Sequence, residues 1–268
     1  MMNEKELTKV VLCTTLDDVF KDCDVAFLAG GMRRKEGMLR KDLLKANAHI
    51  FSEQGAALNR VAKKTVKVVI DGNPTNTNTL ICIQNAPDIP RENFTCVSRL
   101  DQNRAVWQIA EKLEVVPEEI KNTIIWGNHS RTMYADASYG SYKNEALNKA
   151  VNNDAWLRSD FLKTIQWRGD KIIKSKGTPS STSSAKAICD HVHDWWFGTK
   201  EGEFVSMGVY SDGLHYGVPE GIIFSFPVVI SDGQWHIVED LKITDFAQAK
   251  IELTTEELLF EKKLALAL

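Results

Sequence analysis

The sequence predicts an α/β protein in two parts, a parallel βαβ part over 1–95 and an α+β part over 96–268. Three observations carry that prediction. The short apolar runs "DVAFLAG" (24–30) and "TVKVVID" (65–71) have the composition of parallel strands covered on both faces. Between them, "RKDLLKANAHIFSEQGAALNRVAKK" (40–64) is long enough for the crossover helix that a parallel pair needs. Beyond residue 200 the pattern changes. "EFVSMGVYSDGLHYGVP" and "IIFSFPVVISDGQWHIVED" read as an antiparallel meander, with Asp212-Gly213 and Asp232-Gly233 as turn signals.

The elements between these follow in order. "NTLICIQNA" (78–86) reads as a short helix, stopped by Pro87 and Pro90. From Ser98 to Glu114, Val106, Ile109, Ala110 and Leu113 fall at i, i+3, i+4, i+7 and place one helical face on a core. "TIIWGNHS" (123–130) is an apolar run that ends on His129. Residues 137–154 are polar and irregular, a loop or weak helix. Asp154 is an N-cap candidate for one long helix that halts at Gly177 and Pro179. Another helix covers 180–198, and a capping box from Thr254 to Glu257 announces the last.

The 268 residues are enough for one large domain or two modest ones. A hydrophobic content of 43% with 26% charged residues is that of an ordinary soluble protein. The net charge of −3 argues against a protein built to bind nucleic acid or an anionic membrane. No run approaches the roughly 20 apolar residues of a membrane span, and the first residues hold no signal-peptide core. The five cysteines are scattered and never spaced C-x-x-C, which fits reduced thiols and a cytoplasmic location.

Several groups are candidates for chemistry. The loop "GGMRRKEGMLRKD" (30–42) follows the first strand, at the carboxyl edge where open α/β sheets bind ligands. A solvated charged loop is its bland reading; arginines that grip carboxylates by paired hydrogen bonds are the sharper one. Asp101 and Arg104 lie three apart near a helix start, alone an ordinary ion pair. "DGNPTNTNTL" (71–80) leaves the second strand, and its Gly72 permits close backbone approach. In "CDHVHD" (189–194), His191 and His193 point about 200° apart on a helix, so no metal site is expected there. His129 exchanges protons near neutral pH, and a neighbouring Asp would orient it. For an isolated histidine, a core residue with one hydrogen bond is the better reading. With the arginines, the set suits acid–base chemistry on a hydroxy or keto acid.

The motifs "KDLLKANAHIF", "QGAALNRVAKK", "GNPTNTN", "SRLDQNRA", "IIWGNHS", "AKAICDHV", "FGTKEGEFVSMGV" and "YGVPEGIIFSFP" extend the reading. Through them the chain closely resembles the cytosolic-type NAD-dependent malate dehydrogenases of the lactate/malate dehydrogenase family, over essentially its whole length. The resemblance implies a Rossmann dinucleotide-binding domain, here incomplete, followed by an α+β catalytic domain. It implies His129 as catalytic acid/base, with Asp101 its carboxylate partner. Arg34, Arg40 and Arg104 match the substrate arginines, and Asn73 a residue touching both cofactor and substrate. Asn47, Gln54, Asp71 and Gly72 fall at cofactor contacts, and the cofactor is NAD. The implied substrate is a small dicarboxylic acid. Arg34 matches the arginine that selects it, since a second carboxylate left unpaired in a closed site is costly.

Three departures stand out. The loop reads "MRRKEG" where "MPRREG" is usual, so Arg33 replaces a proline. Asp71 stands where an apolar residue is usual. Third, no G-x-G-x-x-G occurs. In the family that fingerprint lies in a βαβ unit of roughly sixty residues ahead of this Met1. The chain would then begin near the third strand, "KVVLCTT" (9–15), leaving it unpaired and baring the edge of "DVAFLAG". NAD binding is then expected to be weakened. The alternative reading is a truncated, catalytically impaired dehydrogenase-like protein. Family members are generally homodimers, but part of that surface comes from the same N-terminal unit, which puts a dimer of this chain in question.

Overall fold

The structure, a computed structural model, describes residues 9–32 and 40–267. Residues 9–13 form no strand, and Val10, Val11 and Leu12 are exposed. Thr15 caps α1 (Leu16–Phe20) by accepting from the Asp18 amide. β1 (Val25–Leu28) and β2 (Lys67–Ile70) flank α2 (Arg40–Val61) and pair in parallel, as the βαβ reading requires. α3 (Thr75–Gln84) starts three residues ahead of the expected helix. It packs so closely on α2 that a Cβ at Gly55 would lie 2.5 Å from the Cys82 carbonyl oxygen. β3 (Phe94–Cys96) adds to β2 in parallel, and α4 (Arg99–Leu113) starts after Ser98, whose side chain makes no capping hydrogen bond. In α4, Ile109 and Ala110 are buried, with Val106 and Leu113 packed beside them as the periodicity predicts.

The middle of the chain departs most from expectation. β4 (Ile120–Lys121), β5 (Ile124–Trp126), β6 (Tyr134–Asp136), β7 (Ser141–Tyr142) and β8 (Glu145–Ala146) form two small sheets, and α5 (Leu147–Val151) follows. The supposed irregular stretch thus holds a hairpin that turns at Lys143 and Asn144, both at positive φ. Its exposed strands lack apolar alternation, and a lysine in the left-handed region is no turn signal. The single long helix expected after Asp154 is three: α6 (Asp154–Leu157), α7 (Asp160–Gln166) and α8 (Arg168–Lys176). Asn153, not Asp154, is the cap, and α7 turns so that Phe161, Leu162 and Ile165 reach the core.

α9 (Ser181–Phe197) precedes the meander β9 (Val205–Tyr210), β10 (Ile223–Ser231) and β11 (Gln234–Ile237). Asp232 and Gly233 make the tight β10–β11 turn. Asp212-Gly213 instead sits in a longer loop, tied by Ser211 to Gly221 and Ile222. α10 (Asp245–Leu266) is capped by Thr244. Thr254 and Glu257 are therefore interior helix residues and not a capping box.

The main sheet runs β1-β2-β3-β9-β10-β11, and β3 joins the antiparallel half through Cys96 and Gly208. β1 is an edge strand, not the interior one its composition suggested but as the family resemblance implied, with Phe27 half exposed. Two apolar cores line the sheet. One gathers β1, β2, α2 and α3; the other gathers α4, the small sheets, α7, α9 and the meander. Because β1, β2 and β3 run the same way, their carboxyl ends bring residues 29–32, 71–74 and 97–101 to one edge.

Candidate active site

The run that ends on His129 does so through a sharp turn. Gly127 has φ +92°, and a Cβ there would fall inside the Thr254 side chain, so only glycine lets the turn seat on α10. Gly127 exchanges backbone hydrogen bonds of 3.1 and 3.0 Å with Ser225 on β10. The Asn128 amide donates to Thr254 Oγ1 at 2.9 Å. From the other side Asn76 of α3 holds the turn. Its Nδ2 donates to the Gly127 and Ile223 carbonyls (3.2 and 3.0 Å), and its Oδ1 accepts from the His129 amide at 3.0 Å.

So fixed, the His129 imidazole meets the first turn of α4. Its Nδ1 shares a short hydrogen bond with Asp101 Oδ2, and the Asp101 carboxylate is fully buried. Arg104 Nη1 donates to the other oxygen, Asp101 Oδ1, at 3.0 Å. Burial pushes the imidazole toward neutrality, but the charge and hydrogen bond of Asp101 outweigh it and hold its pKa above the ordinary value. Burial likewise pushes the Asp101 carboxyl up, and the His129 and Arg104 charges and hydrogen bonds overcome that and hold it below the usual range. The imidazole is 21% exposed, and among the described residues its Nε2 has no partner. Isolated reading would have made His129 a core residue; the structure gives it one bonded and one free nitrogen.

The second strand's loop reaches the same place. Ile70 O accepts from the Val97 amide and from Thr75 Oγ1, while the Asp71 and Gly72 amides donate to Leu28 O. Gly72 is buried against Phe51 and the Gly30 carbonyl. The amide of Asn47 is spent on backbone: Oδ1 accepts from Met32 N, and Nδ2 donates to Met32 O and Asn73 O. Asn73 itself is exposed at the edge. On α2, the buried Oε1 of Gln54 has no hydrogen-bond partner among the described residues. The Asp71 carboxylate makes no hydrogen bond or ion pair among the described residues. Burial raises its pKa, His129 and Arg104 work against that, and its charge in turn favours the imidazolium of His129. Exchanging Asp71 for Asn should therefore lower the His129 pKa. The pH at which proton uptake by His129 becomes efficient moves down, checked by imidazole titration in NMR.

Arg34 lies outside the described residues, and Arg40 is the first residue of α2. On its other side Arg104 lines a cleft of about 450 Å³ with Trp107, Arg168, Ser183 and Lys186; His129 does not line it. Among the described residues three cations, Arg104, Arg168 and Lys186, thus line that cleft. Sequence reasoning missed Arg168, Ser183 and Lys186, which come from helices distant in sequence. It also missed Asn76, whose only signal is a polar side chain in a helix whose residues 75–82 are all buried. As expected, His191 and His193 diverge: His191 is fully buried against Thr95 Oγ1 at 2.8 Å, and His193 is exposed.

Comparison with known proteins accords with this geometry. Residues 2–95 match the lactate/malate dehydrogenase NAD binding domain, and residues 98–268 match the lactate/malate dehydrogenase alpha/beta C-terminal domain. Cytoplasmic malate dehydrogenase of Gallus gallus is 55% identical over 97% of this chain and 79% of its own length. The Homo sapiens protein is 54% identical over the same shares. The crystal structure of malate dehydrogenase from Naegleria fowleri superposes with a TM-score of 0.90 at 41% identity, covering 94% of this chain and 77% of that one. Trichomonas vaginalis lactate dehydrogenase in complex with NADH and oxamate superposes at 0.91 and 37% identity, over 96% and 79%. This chain belongs to the lactate/malate dehydrogenase family.

Proposed function

We propose that the chain is an NAD-dependent malate dehydrogenase in which His129 and Asp101 carry the proton transfer. The observation that carries this reading is the linked set His129–Asp101–Arg104 at the carboxyl edge of the parallel strands. Nδ1 is committed to Asp101, so Nε2 faces the substrate and takes the proton of the malate hydroxyl as its C2–H bond breaks. In the reverse direction the imidazolium returns that proton to the oxaloacetate carbonyl oxygen. NAD, when bound, supplies the acceptor for the hydride leaving C2. The open space at Gly30 and exposed Asn73, at the ends of adjacent strands, fit a cofactor laid across the edge. In this reading Asn47 acts by holding Met32 and Asn73, and Asp71, Gly72 and Gln54 border the cofactor. Arg104 pairs with one substrate carboxylate, and Arg34 and Arg40 are assigned to the other end of a dicarboxylate.

The division near residue 95 is proposed to separate the cofactor part from the substrate part. Nothing in the comparisons supports the impaired alternative. The Gallus gallus and Homo sapiens relatives are cytoplasmic malate dehydrogenases, and the same location is assigned to this chain. Among the described residues no helix is long and apolar enough to cross a membrane. The test is the initial rate of NADH oxidation with oxaloacetate and, separately, pyruvate. Oxaloacetate is expected to be the preferred substrate; equal or better turnover of pyruvate would overturn the dicarboxylate assignment.

A further inference from the structure

We propose that Glu257, on the C-terminal helix, is a positioning residue for His129, holding the residues on both sides of it with one carboxylate. Glu257 Oε2 accepts from Asn128 Nδ2 at 2.9 Å, from the Ser130 hydroxyl, and from Thr132 Oγ1 at 2.6 Å. Residue 128 precedes the imidazole-bearing residue and residue 130 follows it, so both arms of the turn end on the same oxygen. Thr132 is held further, its Oγ1 2.9 Å from Thr254 Oγ1 and its amide donating to Ser130 Oγ. The next turn of α10 repeats the arrangement. Glu261 accepts from Asn128 Nδ2 at 3.2 Å and from Thr77 Oγ1 at 2.5 Å, and Thr77 adjoins Asn76, which grips the His129 amide.

Hydrogen bonds to a carboxylate are shorter and stronger than neutral ones. A carboxylate placed merely to anchor α10 would serve anywhere along β5 or β6. Here, among the described residues, every side-chain hydrogen bond of Glu257 falls on residues 128, 130 and 132, around the imidazole. Thr254 completes the same clamp from one turn earlier, against Gly127 and the Asn128 amide. The Thr254–Glu257 spacing that mimics a capping box is thus the spacing that lets one helix face meet one turn. The His129–Asp101 contact is set from one side by α4 and from the other by α10.

The inference rests on His129 as the acid/base. Glu257→Gln keeps the volume but removes the charge, and an amide oxygen turned onto the three donors accepts more weakly than the carboxylate it replaces. In the full chain it is expected to lower kcat for malate oxidation about 10–100-fold with KM within about twofold, since small misplacement of a reacting group carries such a cost. The apparent pKa of His129, read from kcat/KM and from NMR titration, should move toward the ordinary histidine value. Ser130→Ala with Thr132→Val, removing the donors instead, should reproduce both changes if the first variant does not fold. Glu256→Gln, exposed one residue away, should leave them unchanged. A folded Glu257→Gln chain with unaltered kcat and His129 titration overturns the proposal, as does an equal loss in Glu256→Gln. A parent chain that turns over no malate would instead count against the reading of His129.

Discussion

His129→Asn is expected to lower kcat for malate oxidation by about 10²–10⁴-fold, the usual worth of a positioned acid/base group. The loss should fall on kcat and kcat/KM together, because the proton is transferred in the transition state and not on binding. The imidazole is only 21% exposed but stands at the surface of the site, and the turn is held through the backbone amide by Asn76 and through Asn128 by Thr254. Asparagine leaves those bonds in place, so the thermal midpoint should change by no more than a few degrees. In the parent chain, oxidation needs the neutral imidazole and reduction the charged one. Since Asp101 holds the His129 pKa above 6.5, kcat/KM for malate should rise with pH through a value higher than that, and the limb for oxaloacetate should fall there. A loss below tenfold, or a limb at or below the ordinary histidine value, would remove His129 from the proposed role.

Asp101→Asn should be the costliest exchange for activity and stability together. The carboxylate is fully buried and accepts from both His129 Nδ1 and Arg104 Nη1. An amide in its place faces two donors with one acceptor, and it no longer favours the tautomer that leaves Nε2 ready to accept a proton. The expected loss in kcat is on the order of 10²–10⁴-fold. Breaking a buried ion pair costs about 3 kcal/mol or more, because Arg104, 16% exposed, keeps a charge without its partner. The pH dependence has a definite sign. Asp101 has a folded pKa below its ordinary 3.8, so its stabilisation is present above that value and is lost as pH falls through the lower folded pKa. Urea midpoints from pH 7 to pH 2 should show the parent losing this advantage over Asp101→Asn only below about pH 4. Equal midpoints at pH 7 would refute the energetic account.

Local chemistry explains what could be read beforehand. The βαβ unit, α4 and α9 have apolar periodicities that match their elements, so pattern alone located them. The hairpin at Lys143–Asn144 and the breaks within 154–176 carry weak local signals, and tertiary burial of Phe161 and Ile165 sets the path there. The edge position of β1 depends on which strands pair, which composition does not encode and only the family resemblance anticipated.

The site divides in the same way. His129, Asp101 and Arg104 were visible as chemistry-bearing types, and the spacing of Asp101 and Arg104 on one helix face is a local fact. Their meeting with His129 joins α4 to a turn 28 residues on. Asn76, Thr254 and Glu257 reach the turn from α3 and α10, and the nearest of them is more than fifty residues from His129 in sequence. Thr254 and Glu257 even carried a plausible local meaning, a helix start, that the helix starting at Asp245 excludes. The sequence by itself carried the fold class and the candidate reacting groups, because periodicity and residue type are local properties of the chain, and its motifs carried the family resemblance. Only the tertiary structure decided what holds the imidazole, because buried polar groups must find partners wherever packing brings them, at any distance along the chain.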